Sequence, residues 1–544
     1  MDFSGCVSRS MAREKEKNAC EFGDFQTPEI LASEAIATVR SLGAAPKSII
    51  EPTCGLGSFL LAAIRAFPKA VQVLGVEINK AYLDHVRKRL AVESTDANVI
   101  LKQADFFSVD WAQMVRKLPD PVLILGNPPW VTSSALGALD SSNLPEKSNF
   151  QGRRGFDAIT GKSNFDISEW MLLQYLEWLK GRHGYIAVLC KTTVARKVLA
   201  HAWKHSNKLT SARIYLIDAL KYFGASVESC FFLMYLGSPG PQECDVFDSL
   251  GHLQPRRRLG FRDGTMISNI DAYERWRHLR GADPAYVWRS GIKHDCVKVL
   301  ELDREDATFR NGYGQLVTIE DDHIYPLYKS SDVGNGGERM HRKCLVVTQR
   351  FVGEDTSHIK RQTPRTWRYL SAHEAEFSKR KSSIYKDRPR FSIFGIGDYA
   401  FSPWKVAISG FYKKLNFKRI GPFRGRPAMV DDTVYFLPCW SESEADFLIG
   451  VLASKPVEGF FSSMIFWRDK RPITAELLRR LSIKNVSIQL GRESEYLAFA
   501  SQANKARALV GPEQLTLGIA ERRAEYQAVP NTALNRARVK RRAV

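Results

Sequence analysis

The sequence predicts an α/β fold with a largely parallel sheet, followed by a second, irregular α+β domain. Three observations predict it. Short apolar runs alternate with helical patterns through the first part of the chain. That alternation stops beyond about Ile267, where aromatic and basic residues crowd into short segments. The chain has 544 residues, too many for one ordinary core.

Taken in order, Pro28 opens a helix pattern carried by Ile30, Leu31, Ala35, Ile36 and Val39. Residues 48–50 read as a strand, followed by a glycine turn and a helix over 58–66. Residues 71–76 form the next strand and 81–90 the next helix, and strands follow at 99–101 and 122–125. A helix over 169–179, a strand at 185–189, a helix near 194–203 and apolar runs at 214–217 and 230–236 close the unit. Gly237-Ser-Pro-Gly-Pro241 is a turn-rich breaker and the expected boundary. The domains expected are therefore 20–240, 265–525, and a basic tail over 526–544 expected to be disordered. No internal repeat is visible.

Composition narrows the class. Hydrophobic residues make up 44% and charged residues 25%, as in a globular protein with an ordinary core. The 79 Lys+Arg against 59 Asp+Glu leave a net charge of +20, which attracts polyanions, nucleic acid first among them. Nine cysteines lie scattered without a CxxC pair, so neither a disulfide framework nor a metal site is expected. The first twenty residues lack the apolar core of a signal peptide, and no apolar run is long enough to span a bilayer. The expectation is a cytoplasmic protein, monomeric and associated with the nucleoid.

Two segments carry chemistry. Glu51-Pro-Thr-Cys-Gly-Leu-Gly-Ser-Phe59 lies between a strand and a helix, where Gly55 and Gly57 allow a tight turn and close approach of a ligand. Glu77 ends the next strand, where a carboxylate can accept both hydroxyls of a ribose. Asp105 and Phe106 end the one after, a pair suited to bind the amino group and the face of an adenine ring. No GK[ST] follows the glycines and no paired cations await a pyrophosphate, so a sulfonium nucleoside fits better than NAD or ATP. A solvated strand end for Glu77 and a core position for Phe106 are the plainer alternatives, and both stay open at this point.

The second segment is Asn127-Pro-Pro-Trp130, directly after the strand at 122–125. Pro128 and Pro129 fix φ and remove two donors, leaving a stiff loop of outward carbonyls beside the amide oxygen of Asn127. Two acceptors on one amino group draw its hydrogens out of the ring plane and free the nitrogen lone pair to attack a methyl sulfonium. Trp130 offers a flat face for a base.

In order and rough spacing, Thr27, the segment from Glu51 to Phe59, Glu77, Asp105, Phe106 and the Asn-Pro-Pro-Trp motif resemble the gamma-class, TaqI-type adenine-N6 DNA methyltransferases. The resemblance covers residues 20–240. It departs at Trp130, where the family usually has Tyr or Phe. It implies the class I, Rossmann-like fold of S-adenosylmethionine-dependent methyltransferases, with a C-terminal DNA-recognition domain. It also implies S-adenosyl-L-methionine as cofactor, held by Thr27, Glu51, Thr53, Gly55, Gly57, Glu77, Asp105, Phe106 and Asn127. Asn127, Pro128, Pro129 and Trp130 are the implied catalytic residues, with Trp130 and Phe223 sandwiching a flipped adenine from double-stranded DNA. Ser163-Asn164-Phe165-Asp166 stands where the family lines its cofactor pocket, and Tyr222 is a neighbour to Phe223. In the second domain Lys293, His294, Arg350, Arg380, Lys386, Arg388, Lys413, Lys414, Arg419 and Arg424 are among the cations that could meet DNA, mostly at phosphates.

Such an enzyme fits the modification part of a restriction-modification system, its restriction endonuclease a separate protein. Two alternatives remain open on the sequence: a methyltransferase acting on RNA or a protein glutamine, and a DNA-binding protein on a degenerate methyltransferase fold.

Overall fold

A computed structural model of the chain describes residues 25–131, 166–205, 208–335 and 342–508, with side chains as far as 502. Ser163, Asn164, Phe165 and the tail over 526–544 lie outside the described residues. The chain divides into two compact units, the first ending at Ile270 and the second beginning at Asp271.

In the first unit the elements run α1 (Glu29–Ser41), β1 (Ser48–Glu51), α2 (Ser58–Ala66), β2 (Gln72–Glu77), α3 (Lys80–Leu90), β3 (Asn98–Gln103), α4 (Trp111–Arg116) and β4 (Val122–Gly126). Then come α5 (Ile167–Trp178), β5 (Gly184–Lys191), α6 (Thr192–Lys204), β6 (Leu209–Asp218), α7 (Ala219–Phe223) and β7 (Glu228–Leu236). Three more strands follow, β8 (Glu243–Phe247), β9 (Arg257–Arg262) and β10 (Thr265–Ile267). Together they build one ten-stranded sheet of order β10-β9-β8-β6-β7-β5-β4-β1-β2-β3. β3, β2, β1, β4 and β5 pair in parallel, and β7 lies antiparallel between β5 and β6. This is the class I methyltransferase sheet, extended at one edge by β8, β9 and β10.

The strand residues alternate between two cores, which explains their nearly continuous apolar runs. Ile49, Val73, Leu123 and Leu125 face the cluster beneath α1 and α2. Ile50, Leu74, Ile124 and Ile186 face the cluster covered by α4, α5 and α6. The chain winds outward from β1 to β3 and then returns to place β4 on the other side of β1. The strand order reverses there, and the crevice beyond the carboxyl ends of β1 and β4 is where such a sheet takes its ligand.

One boundary differs from expectation. The segment Gly237-Ser-Pro-Gly-Pro241 joins β7 to β8 within the same sheet and ends nothing. A Cβ on Gly240 would stand 2.0 Å from the Thr210 carbonyl oxygen, so these glycines allow the chain to cross tightly over β6 and pair β8 alongside it.

The second unit is irregular α+β. A four-stranded sheet and a five-stranded sheet are built from short strands and flanked by helices such as Glu442–Leu452 and Lys455–Met464. Among the described residues no helix is long and apolar enough to cross a membrane.

Candidate active site

At the carboxyl ends of β1 to β4 lies a cavity of about 400 Å³. It brings together Thr27, Glu51, Thr53, Gly55, Glu77, Asp105, Phe106, Asn127 and Pro129 from the sequence-predicted set. Gly57, Pro128, Trp130 and Phe223 are not in its wall. Phe25, Gln26, Asn79, Tyr82, Phe107, Ile167 and Met171 line it as well and were missed. Gln26 had a signal, as the neighbour of Thr27; Phe25 comes from the segment before α1, Tyr82 from α3, and the rest from strand ends and α5.

The loop after β1 is shaped by glycine. Gly55 (φ +48°) and Gly57 (φ +78°) both have left-handed backbone. A Cβ at Gly57 would also press to 2.9 Å from Val86 Cγ2, so this glycine serves the packing of α2 on α3. Glu77 supports the same loop: its Oε2 accepts from the Gly55 N–H at 2.8 Å and its Oε1 from the Asn79 N–H at 2.9 Å. Each carboxylate oxygen keeps further acceptor capacity.

Phe25, Gln26 and Thr27 tie this loop to the Asn-Pro-Pro motif. Gln26 Oε1 accepts from the Leu56 N–H at 3.1 Å, and Ser58 Oγ donates to the Thr27 carbonyl at 2.7 Å. Asn127 Nδ2 donates to the Phe25 carbonyl at 2.9 Å. That bond turns the Asn127 amide so that Oδ1 is buried with no hydrogen-bond partner among the described residues. Glu51 Oε2 is buried and unpartnered in the same sense. Burial pushes the Glu51 carboxyl well above the usual carboxylate range, and the charge of Glu77 adds to the effect. Both residues line the cavity, so two buried acceptors without a partner lie beside it, where donors are wanting.

Two aromatic positions pack in ways the sequence did not show. Phe106 lines the cavity but is 6% exposed and packs against Phe107, Trp111, Trp170, Tyr175 and Trp178, so it is a core residue as well as a wall. Trp130 and Phe223 do not form an open sandwich. Their ring centroids are 5.2 Å apart at 71°, an edge-to-face contact, whereas a base between two faces needs them parallel and about 7 Å apart. Phe25 completes the triangle, 5.7 Å from Trp130 and 6.0 Å from Phe223. Asp166 is likewise not in the cavity wall; it caps α5 and accepts from Lys191 Nζ at 2.7 Å.

Among the described residues no group of three or more His, Cys, Asp or Glu is placed to hold a metal ion. The described cysteines are buried and unpaired. In the second unit two cations of the sequence-predicted set are structural. His294 is buried beside Glu301, and Arg380 donates to the carbonyls of Ser392 and His294.

Residues 8–200 match the family described as N-6 DNA Methylase. The type II methyltransferase M.NspV of a Nostoc species is 42% identical over 475 residues, which are 87% of this chain and 98% of that protein. Among solved structures, the type IIL restriction-modification enzyme MmeI in complex with DNA matches 88% of this chain and 67% of its own, at 12% identity and a TM-score of 0.46. The type IIG restriction endonuclease BpuSI matches 83% and 58%, at 14% identity and a TM-score of 0.36. A sheet ordered as in class I methyltransferases, a glycine loop and an Asn-Pro-Pro corner on one cavity, and 42% identity to M.NspV over 87% of the chain converge: the chain belongs to the N-6 DNA methylases, among the type II methyltransferases.

Proposed function

We propose that this protein transfers the methyl group of S-adenosyl-L-methionine to the exocyclic amine of an adenine swung out of duplex DNA. We assign it to the gamma class and to the modification side of a restriction-modification system, with the endonuclease on a separate chain. The observation that carries the reading is the Asn127 amide: anchored through Nδ2 to Phe25, with Oδ1 buried and unpartnered among the described residues, it stands in the wall of the cavity that Glu51, Glu77 and Asp105 also line.

The residues present fit the cofactor. Glu77 would accept the ribose hydroxyls, Asp105 the adenine amino group, and Glu51 Oε2 the cationic end of the methionine part. The bound sulfonium supplies an electrophilic methyl group. Asn127 Oδ1, with the carbonyls of the proline-stiffened loop, accepts from the target amine and turns its lone pair out of conjugation with the ring. Catalysis then consists of aim and hydrogen bonding rather than of a dedicated base, because the methylated nitrogen releases its proton readily. Trp130, Phe223 and Phe25 part to admit the base, and its stacking offsets an extrusion cost of about a few kcal/mol. The second unit holds and reads the duplex, and the excess of cations supports this role.

Asn127→Ala tests the reading. Transfer of tritiated methyl into duplex DNA amplified in vitro should fall at least about 100-fold, while cofactor affinity measured by calorimetry stays within about threefold. Turnover at the wild-type rate would refute the assignment.

A further inference from the structure

One charged network beside the cavity has no part in the chemistry described so far. Lys191 is the last residue of β5, a strand that runs parallel to β4 with Val188 opposite Gly126. It therefore extends past the sheet on the side where Asn127 begins its loop. Its ammonium donates to the Trp130 carbonyl at 2.9 Å and to Asp166 Oδ2 at 2.7 Å. Both ions are largely enclosed, the Lys191 side chain 22% exposed and that of Asp166 10%, so the contacts are charge-assisted and poorly screened.

The two oxygens belong to different halves of the site. The Trp130 carbonyl is the last of the Asn-Pro-Pro-Trp loop, and Trp130 itself is buried. Asp166 is the N-cap of α5, whose Ile167 and Met171 form part of the cavity wall. A second tie runs beside the first, from the Ile167 N–H to the Val131 carbonyl at 2.9 Å. Pro128 and Pro129 stiffen the loop between Asn127 and Trp130 but offer no N–H by which a neighbour could hold it. The loop is thus fixed at its start by the Asn127–Phe25 bond and at its end by the Lys191 ammonium on the Trp130 carbonyl, with the Ile167 N–H on the next carbonyl, that of Val131.

We infer that Lys191 is a positioning residue for methyl transfer: by bridging the Trp130 carbonyl to Asp166, it fixes the base-holding loop against the helix that walls the cofactor cavity. The separation of the two reacting atoms is then set by a lysine on a rigid strand, and misplacement of such a pair by about 1 Å can cost about 100-fold in rate. This inference rests on the proposed role of the Asn-Pro-Pro-Trp loop.

The test uses the full chain, in vitro amplified duplex DNA and tritiated S-adenosylmethionine at saturation. Lys191→Met keeps the apolar stem and removes the ammonium. Its kcat should fall by about 10- to 100-fold. Cofactor affinity and KM for DNA should stay near wild type, while the thermal midpoint falls by roughly a few degrees because Asp166 loses its counter-ion. Lys191→Arg should restore most of the rate, because a guanidinium can span both oxygens. Wild-type kcat in Lys191→Met overturns the inference. So does a rate loss matched by losses of cofactor binding and thermal stability that Lys191→Arg does not restore, since that pattern marks a residue that only holds the fold. Asn127→Ala in the same assay separates the two claims. If it is fully active, the loop's proposed role fails whatever Lys191 does; if it is inactive beside a fully active Lys191→Met, the lysine's role alone fails.

Discussion

At the scale of single residues, the site is built from polar atoms that the fold leaves unsatisfied. Glu51 is the clearest case: it is 3% exposed, one of its oxygens has no partner among the described residues, and burial raises its pKa. A carboxyl raised in the folded state favours folding fully only below the ordinary carboxyl pKa of about 4.3, and that contribution is lost as pH rises through the folded-state value. Glu51→Gln should therefore raise the thermal midpoint of the ligand-free protein at neutral pH by roughly a few degrees, and the gain should vanish near pH 4. The same variant should bind S-adenosylmethionine at least about tenfold more weakly, because a charge-assisted contact is lost. Scanning fluorimetry at the two pH values and calorimetry with the cofactor check both signs, and a variant less stable than wild type at neutral pH would contradict the account. Such trade-offs are legible in sequence only as residue types. The motifs placed Glu51, Glu77, Asp105 and Asn127 on one cavity, but nothing in the chain order says that Asn127 is aimed by the Phe25 carbonyl, 102 positions away.

At the scale of elements, the parallel core was readable because β1, β2 and β4 are buried on both faces, so their apolar runs report it directly, while β3 at the edge is half exposed. The antiparallel edge was not. β9 reads Arg-Arg-Leu-Gly-Phe-Arg, and β8 follows a glycine- and proline-rich stretch that has the composition of a linker. What holds this edge is a close backbone crossing that sequence periodicity does not encode. Gly240→Ala would drive a Cβ into the Thr210 carbonyl, which is backbone and cannot swing aside. The variant should lose roughly 2–3 kcal/mol of stability. Hydrogen exchange should quicken over β8, β9 and β10 while β1 to β5 stay protected. Uniform exchange across the sheet would show that the edge and the cofactor core unfold as one.

At the scale of the whole molecule, a net charge of +20 pointed to nucleic acid without saying which cations face it. The structure sorts them by their partners. Arg419 pairs with Asp446 and Glu442, Lys379 with Glu376, and Arg365 with Glu320, whereas exposed Lys386 and Arg388 have no carboxylate partner among the described residues. Ion pairing is a long-range outcome of folding, which is why the sequence could count charges but not assign them. Replacing Lys386 and Arg388 together by Gln should flatten the plot of log affinity for duplex DNA against log salt by about two units of slope if both meet phosphates. An unchanged slope, measured by fluorescence anisotropy from low to moderate salt, would take both residues out of the interface.

In the proposed reaction one cavity presents a methyl donor to an amine held by Asn127. A crystal structure with sinefungin, an unreactive analogue whose amine replaces the sulfonium methyl, tests this most directly. The analogue's ribose should lie at Glu77, its adenine at Asp105, and its amine within about 3 Å of Asn127 Oδ1. An analogue seated elsewhere, or an Asn127 Oδ1 turned away from that amine, would contradict the proposed reaction.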